Sequence, residues 1–395
     1  MAFSPAFPAV LLRSTCRTFK DCLQVSRRFS RSPHLSQEAI DYGYVAVAEA
    51  QAFMERCMVA TGVSTDHASA LAEVLACADH RGHYSHGMNR LEMYVKDIQS
   101  GITEKTGEPT ILKELAGTAW VDGNNLLGPV VGKFCIDLAI KKAKEAGIGW
   151  VVAKGSNHYS IAGWYTLRAI EQGMIGLSTT NTSPLVVPTR ARKAMFGTNP
   201  ISCGAPAENG DSYVLDMATS TVALGKIELN AVKEIPIPNG WGCDASGTES
   251  NDPKAVISGG GLLPLGGSEI AGGYKGYGLA MMVEVLSGIL GGGAFGPNIR
   301  KWKTSNQVAN LGQIFVAINP EAFAPGFEGR MSSLMDMCRS AEPAEGETEV
   351  LVAGDPERKN IAKVEKDGGL RYHNNLLRNM DTLAAGLGVK PIKRN

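Results

Sequence analysis

The chain has 395 residues, 44% apolar and 20% charged, which is ample material for a large core in roughly two or three packing units and too apolar for disorder. Lys+Arg and Asp+Glu both number 39, so the whole chain carries no basic footprint and no nucleic-acid partner is expected. The longest late apolar stretch, Leu279 to Leu290, is broken by Glu284 and falls well short of the ~20 residues that span a bilayer, so no membrane span is expected.

The charge is unevenly spread. Residues 1–36 hold six bases (Arg13, Arg17, Lys20, Arg27, Arg28, Arg31) and one acid, Asp21, leaving 33 bases against 38 acids in the rest. This leader is Arg- and Ser-rich, and its apolar part, Ala2–Leu12, precedes the arginines instead of following a charged start. That order fits a mitochondrial transit peptide, cleaved after Arg28-Phe29, better than a secretory signal. The alternative is a disordered tail that stays attached to a cytoplasmic protein. Eight scattered cysteines with no Cys-x-x-Cys pair fit a reducing compartment and argue against metal ligation by thiolates.

Periodicity predicts helices over Ala39–Thr61, from Thr65 to about Asp79, and from near Gly87 to before Gly101. Strands and helices then alternate: strand Thr118–Asp122, helix Val130–Ala146, strand Ile148–Ala153, helix Ala162–Gln172 and strand Ile175–Asn181. Further strands are expected at Ile201–Pro206 and Tyr213–Asp216, with a surface loop over Asn239–Lys254. Gly-rich runs at 259–267 and 272–278 lead into an apolar helix, Tyr277–Leu290. Strand Phe315–Ile318, a polar tail and a last helix near Asn375–Leu387 complete the chain. The alternation predicts an α/β sheet covered by helices, with a helical N-terminal region packing with the C-terminal part.

Gly291-x-Gly293-x-x-Gly296 formally matches the dinucleotide fingerprint, but a helix precedes it and Pro297 follows. The fingerprint works only between a strand and a helix, so this is a helix-ending loop. A dinucleotide, if bound, is held without the Rossmann fold.

The segment from Asp79 to Tyr94 carries more chemistry. His80, His83 and His86 at spacing three could hold a metal, but Gly82 and Gly87 break the helix that would align them, so no metal is expected. On a helix starting near Ser85-His86, the residues His86, Arg90 and Tyr94 share one face. Arg90 offers a planar fork for a carboxylate, and a histidine at a helix start tends towards neutrality, ready to take a proton. A solvated helix face would show the same pattern. Residues 156–160 (Ser-Asn-His-Tyr-Ser) follow a strand and open a helix, where backbone amides suit a phosphate; His158 could equally be a structural cap. Phe196-Gly197-Thr198-Asn199-Pro200 is a tight turn, and Asp216, at a strand end, is expected to cap a following helix that carries Lys226.

Ser85-His86-Gly87, Asn157-His158, Gly197-Thr198-Asn199-Pro200, Asp216-Met217-Ala218-Thr219-Ser220 and Gly273-Tyr274-Lys275-Gly276, in this order, resemble the malate/L-lactate dehydrogenase family that lacks the Rossmann fold. Ureidoglycolate and sulfolactate dehydrogenases and piperideine-carboxylate reductase are among its members. The resemblance spans Ser36 to Arg358. It implies a homodimer with a non-Rossmann dinucleotide-binding sheet, NAD (or NADP) as cofactor, and a small 2-hydroxy or 2-oxo acid as substrate, malate/oxaloacetate first. By it, His86 is the proton donor and acceptor, supported by Ser85, while His158 is credited with acid catalysis in some relatives. Arg90 and Thr198 bind the substrate carboxylate and Tyr94 walls that pocket. The cofactor segment is His158, Tyr159, Ser160, Ile161 and Ala162, joined by Thr182, Asp216, Met217, Ala218 and Lys275 and by Gly354, Asp355, Pro356, Glu357 and Arg358. Lys226 stands where some relatives place a relay aspartate. The implied organisation is a leader over 1–36, a helical catalytic and dimerisation region over 37–112, a dinucleotide-binding domain over 113–300 and a C-terminal region, 301–395, returning to the first. The loops at 239–254 and 259–267 are expected to set side-chain preference. Reduction of a cyclic imine carboxylate, and a catalytically idle dinucleotide-binding relative, are the alternative readings.

Overall fold

The computed structural model describes residues 41–302, 304 and 306–395; the leader and the start of the expected Ala39–Thr61 helix lie outside them. Tyr42-Gly43-Tyr44-Val45 combines β-prone side chains with a glycine, a poor opening for a helix. It forms strand β1 (Tyr42–Val45), and helix α1 (Val47–Ala60) begins only after Ala46, which corrects the single long helix expected there. Helix α2 (Thr65–His80) follows Ser64. A 3-10 turn, Met88–Arg90, leads into α3 (Leu91–Gln99), so α3 starts later than Gly87.

The alternating part runs β2 (Thr110–Glu114), β3 (Thr118–Asp122), α4 (Gly128–Ala146), β4 (Ile148–Ser156), α5 (Gly163–Ile170), β5 (Ile175–Thr180), β6 (Ile201–Pro206) and β7 (Ser212–Met217). After it come α6 (Leu224–Lys233), β8 (Gly242–Cys243), α7 (Pro253–Ile257), β9 (Gly261–Leu262) and α8 (Gly273–Glu284), which continues into a π-helical turn at Val285–Ile289. The remainder is β10 (Leu311–Ile318), α9 (Phe327–Arg339), α10 (Asp355–Asp367), β11 (Leu370–His373) and α11 (Asn374–Leu387). The presumed loop at Asn239–Lys254 therefore contains β8 and the start of α7, and the polar tail contains two further helices.

Seven strands form one mixed sheet in the order β2-β3-β4-β10-β5-β6-β7, antiparallel throughout except for the parallel β3–β4 pair. Helices α4 and α5 cover one face: Val131, Cys135, Ile136 and Ala139 pack with Val151, Phe315 and Tyr165 in a continuous buried cluster. On the other face, Val152, Ile314 and Val316 meet Leu286 of the π turn. The late strand β10 sits at the centre, and all its residues but Ile318 are buried. A second core joins α1, α2 and α3 to the C-terminal end, with Phe53, Leu71, Leu75 and Leu91 packing with Leu370, Tyr372, Leu377 and Met380. Residues 43–395 form one compact unit.

The pairing explains where a site can form. Leu311 pairs with Ser156, Gln313 with Thr180, Thr179 with Ile201 and Ile201 with Met217. The ends of β4, β5 and β7 and the starts of β6 and β10 are thus gathered at one end of the sheet.

Candidate active site

That end of the sheet opens into a cavity of about 280 Å³, closed on its far wall by the turn before α3. The turn is held from behind by Asp79. Its Oδ2 accepts from the Met88 amide at 2.9 Å and from the Tyr372 hydroxyl at 2.6 Å, and burial pushes its carboxyl up to about 7. Gly87 is required here because a Cβ would lie 1.9 Å from Asp79 Oδ1.

On this turn the Ser85 hydroxyl and His86 Nδ1 share a 2.8 Å hydrogen bond, and Arg90 Nε donates to the Ser85 carbonyl at 2.6 Å. That anchor leaves both Nη atoms of Arg90 for a ligand. Opposite, the loop between β4 and α5 brings His158 alongside, its ring stacked with that of His86 at 5.9 Å and 17°. The Ser160 hydroxyl donates to the His86 carbonyl at 2.8 Å, with Ser160 itself in the left-handed region at φ 66°, tying the two segments together. Tyr94 is buried behind His158, its hydroxyl 2.6 Å from Nδ1. The Ser160 amide also points at Nδ1, at 3.4 Å. With Nδ1 accepting, the proton of the neutral ring resides on Nε2.

Burial, the Arg90 charge and His83 push His86 down to about 4. His158 is held well below the usual histidine range by burial, by His86 and by the charges of Arg90 and Arg300. Both imidazoles are therefore neutral near pH 7. The Trp302 ring lies 5.3 Å from the Arg90 guanidinium carbon and 5.8 Å from the His158 ring, covering the pair from the loop before β10.

The opposite wall is the turn between β5 and β6. Buried Glu284, in α8, accepts from Asn181 Nδ2 at 2.9 Å and from Asn199 Nδ2 at 3.0 Å. Asn199 Oδ1 in turn accepts from the Thr182 amide at 3.1 Å, and the Thr198 carbonyl accepts from the Thr219 amide at 2.8 Å. Gly197 passes so close that a Cβ would lie 1.9 Å from Thr182 Oγ1. These contacts place Thr198 and Thr182 on the cavity wall.

Among the expected site residues, Ser85, His86, Arg90 and Thr198 line the cavity, as do residues 158–162, Thr182, Asp216, Met217 and Ala218. Others stand off it. Tyr94 reaches it only through His158. Lys275 is exposed at the start of α8, beside the Tyr274 ring. Gly354, Asp355 and Pro356 open α10, where Asp355 pairs with Arg358 and Arg339. Only Glu357 approaches, 3.6 Å from His83, which lines the cavity. Lys226 is exposed on α6, whereas Gly225 and Glu228 face the cavity.

Two expectations are corrected. Asp216 does not cap the helix after it: its Oδ2 accepts from the Gly163 amide at 2.7 Å, at the start of α5, while α6 begins only at Leu224. The strand end lies beside α5 across the sheet, so the nearest free amides belong to that helix. The loops at 239–254 and 259–267 do not wall the cavity either. The β8–β9 pair folds them onto their own apolar cluster with Ile227 and Val256. The wall comes instead from Leu224, Gly225 and Glu228 and from Trp302 and Leu311. Trp302, Glu228 and Glu284 carried no motif. The one available signal was Glu284, an acid alone inside an apolar run.

His80, His83 and His86 diverge: His83 faces Glu357, His86 faces Ser85, and no group of described residues could hold a metal ion. The six described cysteines are free.

Comparison with known proteins gives the same direction. A family model described as Malate/L-lactate dehydrogenase matches residues 45–381. The chain is 38% identical over 361 residues to a malate dehydrogenase of Pyrococcus abyssi, covering 90% of this chain and 98% of that one. It is 38% identical over 332 residues to an L-sulfolactate dehydrogenase of Methanocaldococcus jannaschii, covering 83% and 92%. The solved malate dehydrogenase from Pyrococcus horikoshii OT3 superposes with a TM-score of 0.82 at 37% identity, covering 89% of this chain and 97% of that one.

Proposed function

The chain belongs to the malate/L-lactate dehydrogenase family, and from that premise we propose that it interconverts a small 2-hydroxy acid and its 2-oxo acid, malate and oxaloacetate before others, with NAD or NADP. It is an oxidoreductase acting on hydroxy acids, with a nicotinamide cofactor. The observation that carries the 2-hydroxy-acid proposal is the meeting of the Arg90 fork with two neutral histidines in one cavity.

The cavity residues fit a nicotinamide. Ile161, Leu185, Met217 and Leu311 offer apolar surface for a flat ring, and Thr182 Oγ1 is buried without a partner, available to a carboxamide or ribose hydroxyl. When bound, the nicotinamide supplies or takes the hydride. The chain does the rest. Arg90 grips the substrate carboxylate through its two Nη atoms while Nε stays on the Ser85 carbonyl, with Thr198 assisting from the opposite wall. His86, with Nδ1 engaged by Ser85, accepts the hydroxyl proton or returns it to the carbonyl oxygen. His158 presents Nε2–H, so it takes no proton itself and is the candidate to assist by donating a hydrogen bond to the same substrate oxygen. Residues 158–162 with Asp216, Met217 and Ala218 hold the dinucleotide, and Trp302 keeps water from the Arg90 clamp.

The outer face of α8 and the π turn exposes Met281, Met282, Val285, Ile289 and Leu290, an apolar stripe suited to a second copy in a homodimer. The basic leader directs mitochondrial import; fused to a fluorescent protein, residues 1–36 should carry it to mitochondria, and a diffuse signal would end that reading. No described helix is long and apolar enough to cross a membrane.

A spectrophotometric panel of 2-oxo acids and a piperideine carboxylate, each with NADH and NADPH, tests the proposal. Turnover of oxaloacetate above all others is expected. Turnover of the cyclic imine alone would make it an imine reductase, and failure to bind either dinucleotide by calorimetry would make it an idle relative.

A further inference from the structure

Beside the catalytic cavity lies a second one, of about 310 Å³, which shares Arg90, His158, Thr182, Ser183, Trp302 and Leu311 with it. Its far side carries Arg300. This arginine is only 8% exposed, and its Nη2 donates to Asp97 Oδ2 at 2.5 Å. Its Nη1 is buried and has no hydrogen-bond partner. A buried guanidinium nitrogen without an acceptor is costly, and one carboxylate oxygen from Asp97 does not satisfy the fork. An acceptor entering the cavity would complete it.

The position is informative. Arg300 and Trp302 are two residues apart on one loop, and Trp302 covers Arg90. Arg90 and Trp302 line both cavities, whereas Arg300 lines only the second. Arg300 also contributes to holding His158 neutral, so its charge reaches the reacting region. Lys96, on the same cavity, is occupied by Glu92 at 2.6 Å. A ligand whose first carboxylate sits on Arg90 would extend past Trp302 towards Arg300.

Resting on the proposed 2-hydroxy-acid chemistry, we infer that Arg300 forms a second anion subsite that receives the far acidic group of a 2-oxo diacid, a carboxylate or a sulfonate, and so selects diacids over monocarboxylates. The alternative role is purely structural, a clasp between the loop and α3 through Asp97.

The test compares oxaloacetate, 3-sulfopyruvate and pyruvate in the full-length enzyme and in Arg300→Gln. Because that variant also removes the Arg300 ion pair of buried Asp97, Asp97→Asn/Arg300→Gln is made as well, and thermal melting establishes that each is folded. The wild type should prefer at least one diacid over pyruvate by at least roughly tenfold in kcat/KM. Both variants should lose about 10- to 100-fold with that diacid, and change less than about threefold with pyruvate. Which diacid loses more separates a carboxylate from a sulfonate ligand. Equal losses on diacid and pyruvate, unchanged diacid kinetics, or a wild type indifferent between them would overturn the subsite while leaving the dehydrogenase reading intact. A wild type that reduces no 2-oxo acid would overturn that reading itself, and the subsite with it.

Discussion

Tyr94 and His158, 64 residues apart in the chain, meet hydroxyl to ring nitrogen at 2.6 Å, with the Tyr94 side chain buried behind the imidazole. With the Ser160 amide donating to the same Nδ1, this contact leaves the His158 proton on Nε2. A histidine free to flip or change tautomer would present Nε2–H only part of the time.

Tyr94→Phe should keep the packing and lose the tautomer control. If the His158 Nε2–H assists by hydrogen bonding to the substrate oxygen, kcat should fall roughly 5- to 10-fold, the worth of one hydrogen bond, with KM for substrate little changed. Steady-state kinetics at fixed pH measure this; unaltered kcat would leave proton transfer to His86 alone.

Arg90→Lys should be far more damaging than its charge conservation implies. A lysine cannot hold the Ser85 carbonyl and still offer two parallel donors. A loss of roughly 30- to 1,000-fold in kcat/KM is expected, with dinucleotide affinity nearly unchanged. His86→Asn should instead lower kcat while substrate binding survives. Isothermal titration of the cofactor with both variants, beside their kinetics, separates clamp from proton carrier.

The Thr198 wall depends on a residue that never meets substrate. Replacing Glu284 by Ala removes the acceptor shared by Asn181 and Asn199 and leaves each buried amide with only its backbone acceptor, Ala294 O and Ala280 O, which should cost about 2–4 kcal/mol of stability. Gly197→Ala places a methyl into Thr182 Oγ1 and should raise KM for both ligands. Gly293→Ala, in the helix-ending loop away from the cavity, should leave dinucleotide affinity unchanged. Chemical denaturation and binding titrations on the three variants check these outcomes.

The His86 contribution to stability should fall on mild acidification. His86 has a folded-state value of about 4 against an ordinary 6.5, so between these the unfolded chain binds the proton and the folded chain does not. The stability present above pH 6.5 is therefore lost progressively towards pH 4. Buried Asp79, raised from 3.8 to about 7, has the opposite slope, because there the folded state binds the proton and stability declines as pH rises through that range. The difference between wild type and His86→Asn isolates the histidine: moving from pH 7 to pH 5 should change the denaturation midpoint less favourably in the wild type than in the variant.

Ile201–Pro206 and the alternation from Thr118 to Asn181 were legible because half-buried strands and amphipathic helices impress their periods on the chain. The order of the strands was not, since a period says which face is apolar and nothing about neighbours. Helices α9 and α10 were missed because each buries only one or two side chains and writes almost no apolar stripe. In the site, Ser85, His86 and Arg90 lay within one short segment whose chemistry could be read. Trp302 and Arg300 could not be, because an irregular loop brings them to Arg90 across about 200 residues of sequence.

The central place of β10 bears on how the molecule is made. Before Leu311–Ile318 leaves the ribosome, β2-β3-β4 and β5-β6-β7 are separate three-stranded halves, each with an open edge at β4 or β5. Such edges pair readily with other chains. More than three-quarters of the polypeptide must therefore be synthesised before the sheet closes. A chaperone that shields the β4 and β5 edges during that interval would protect the nascent chain from aggregation.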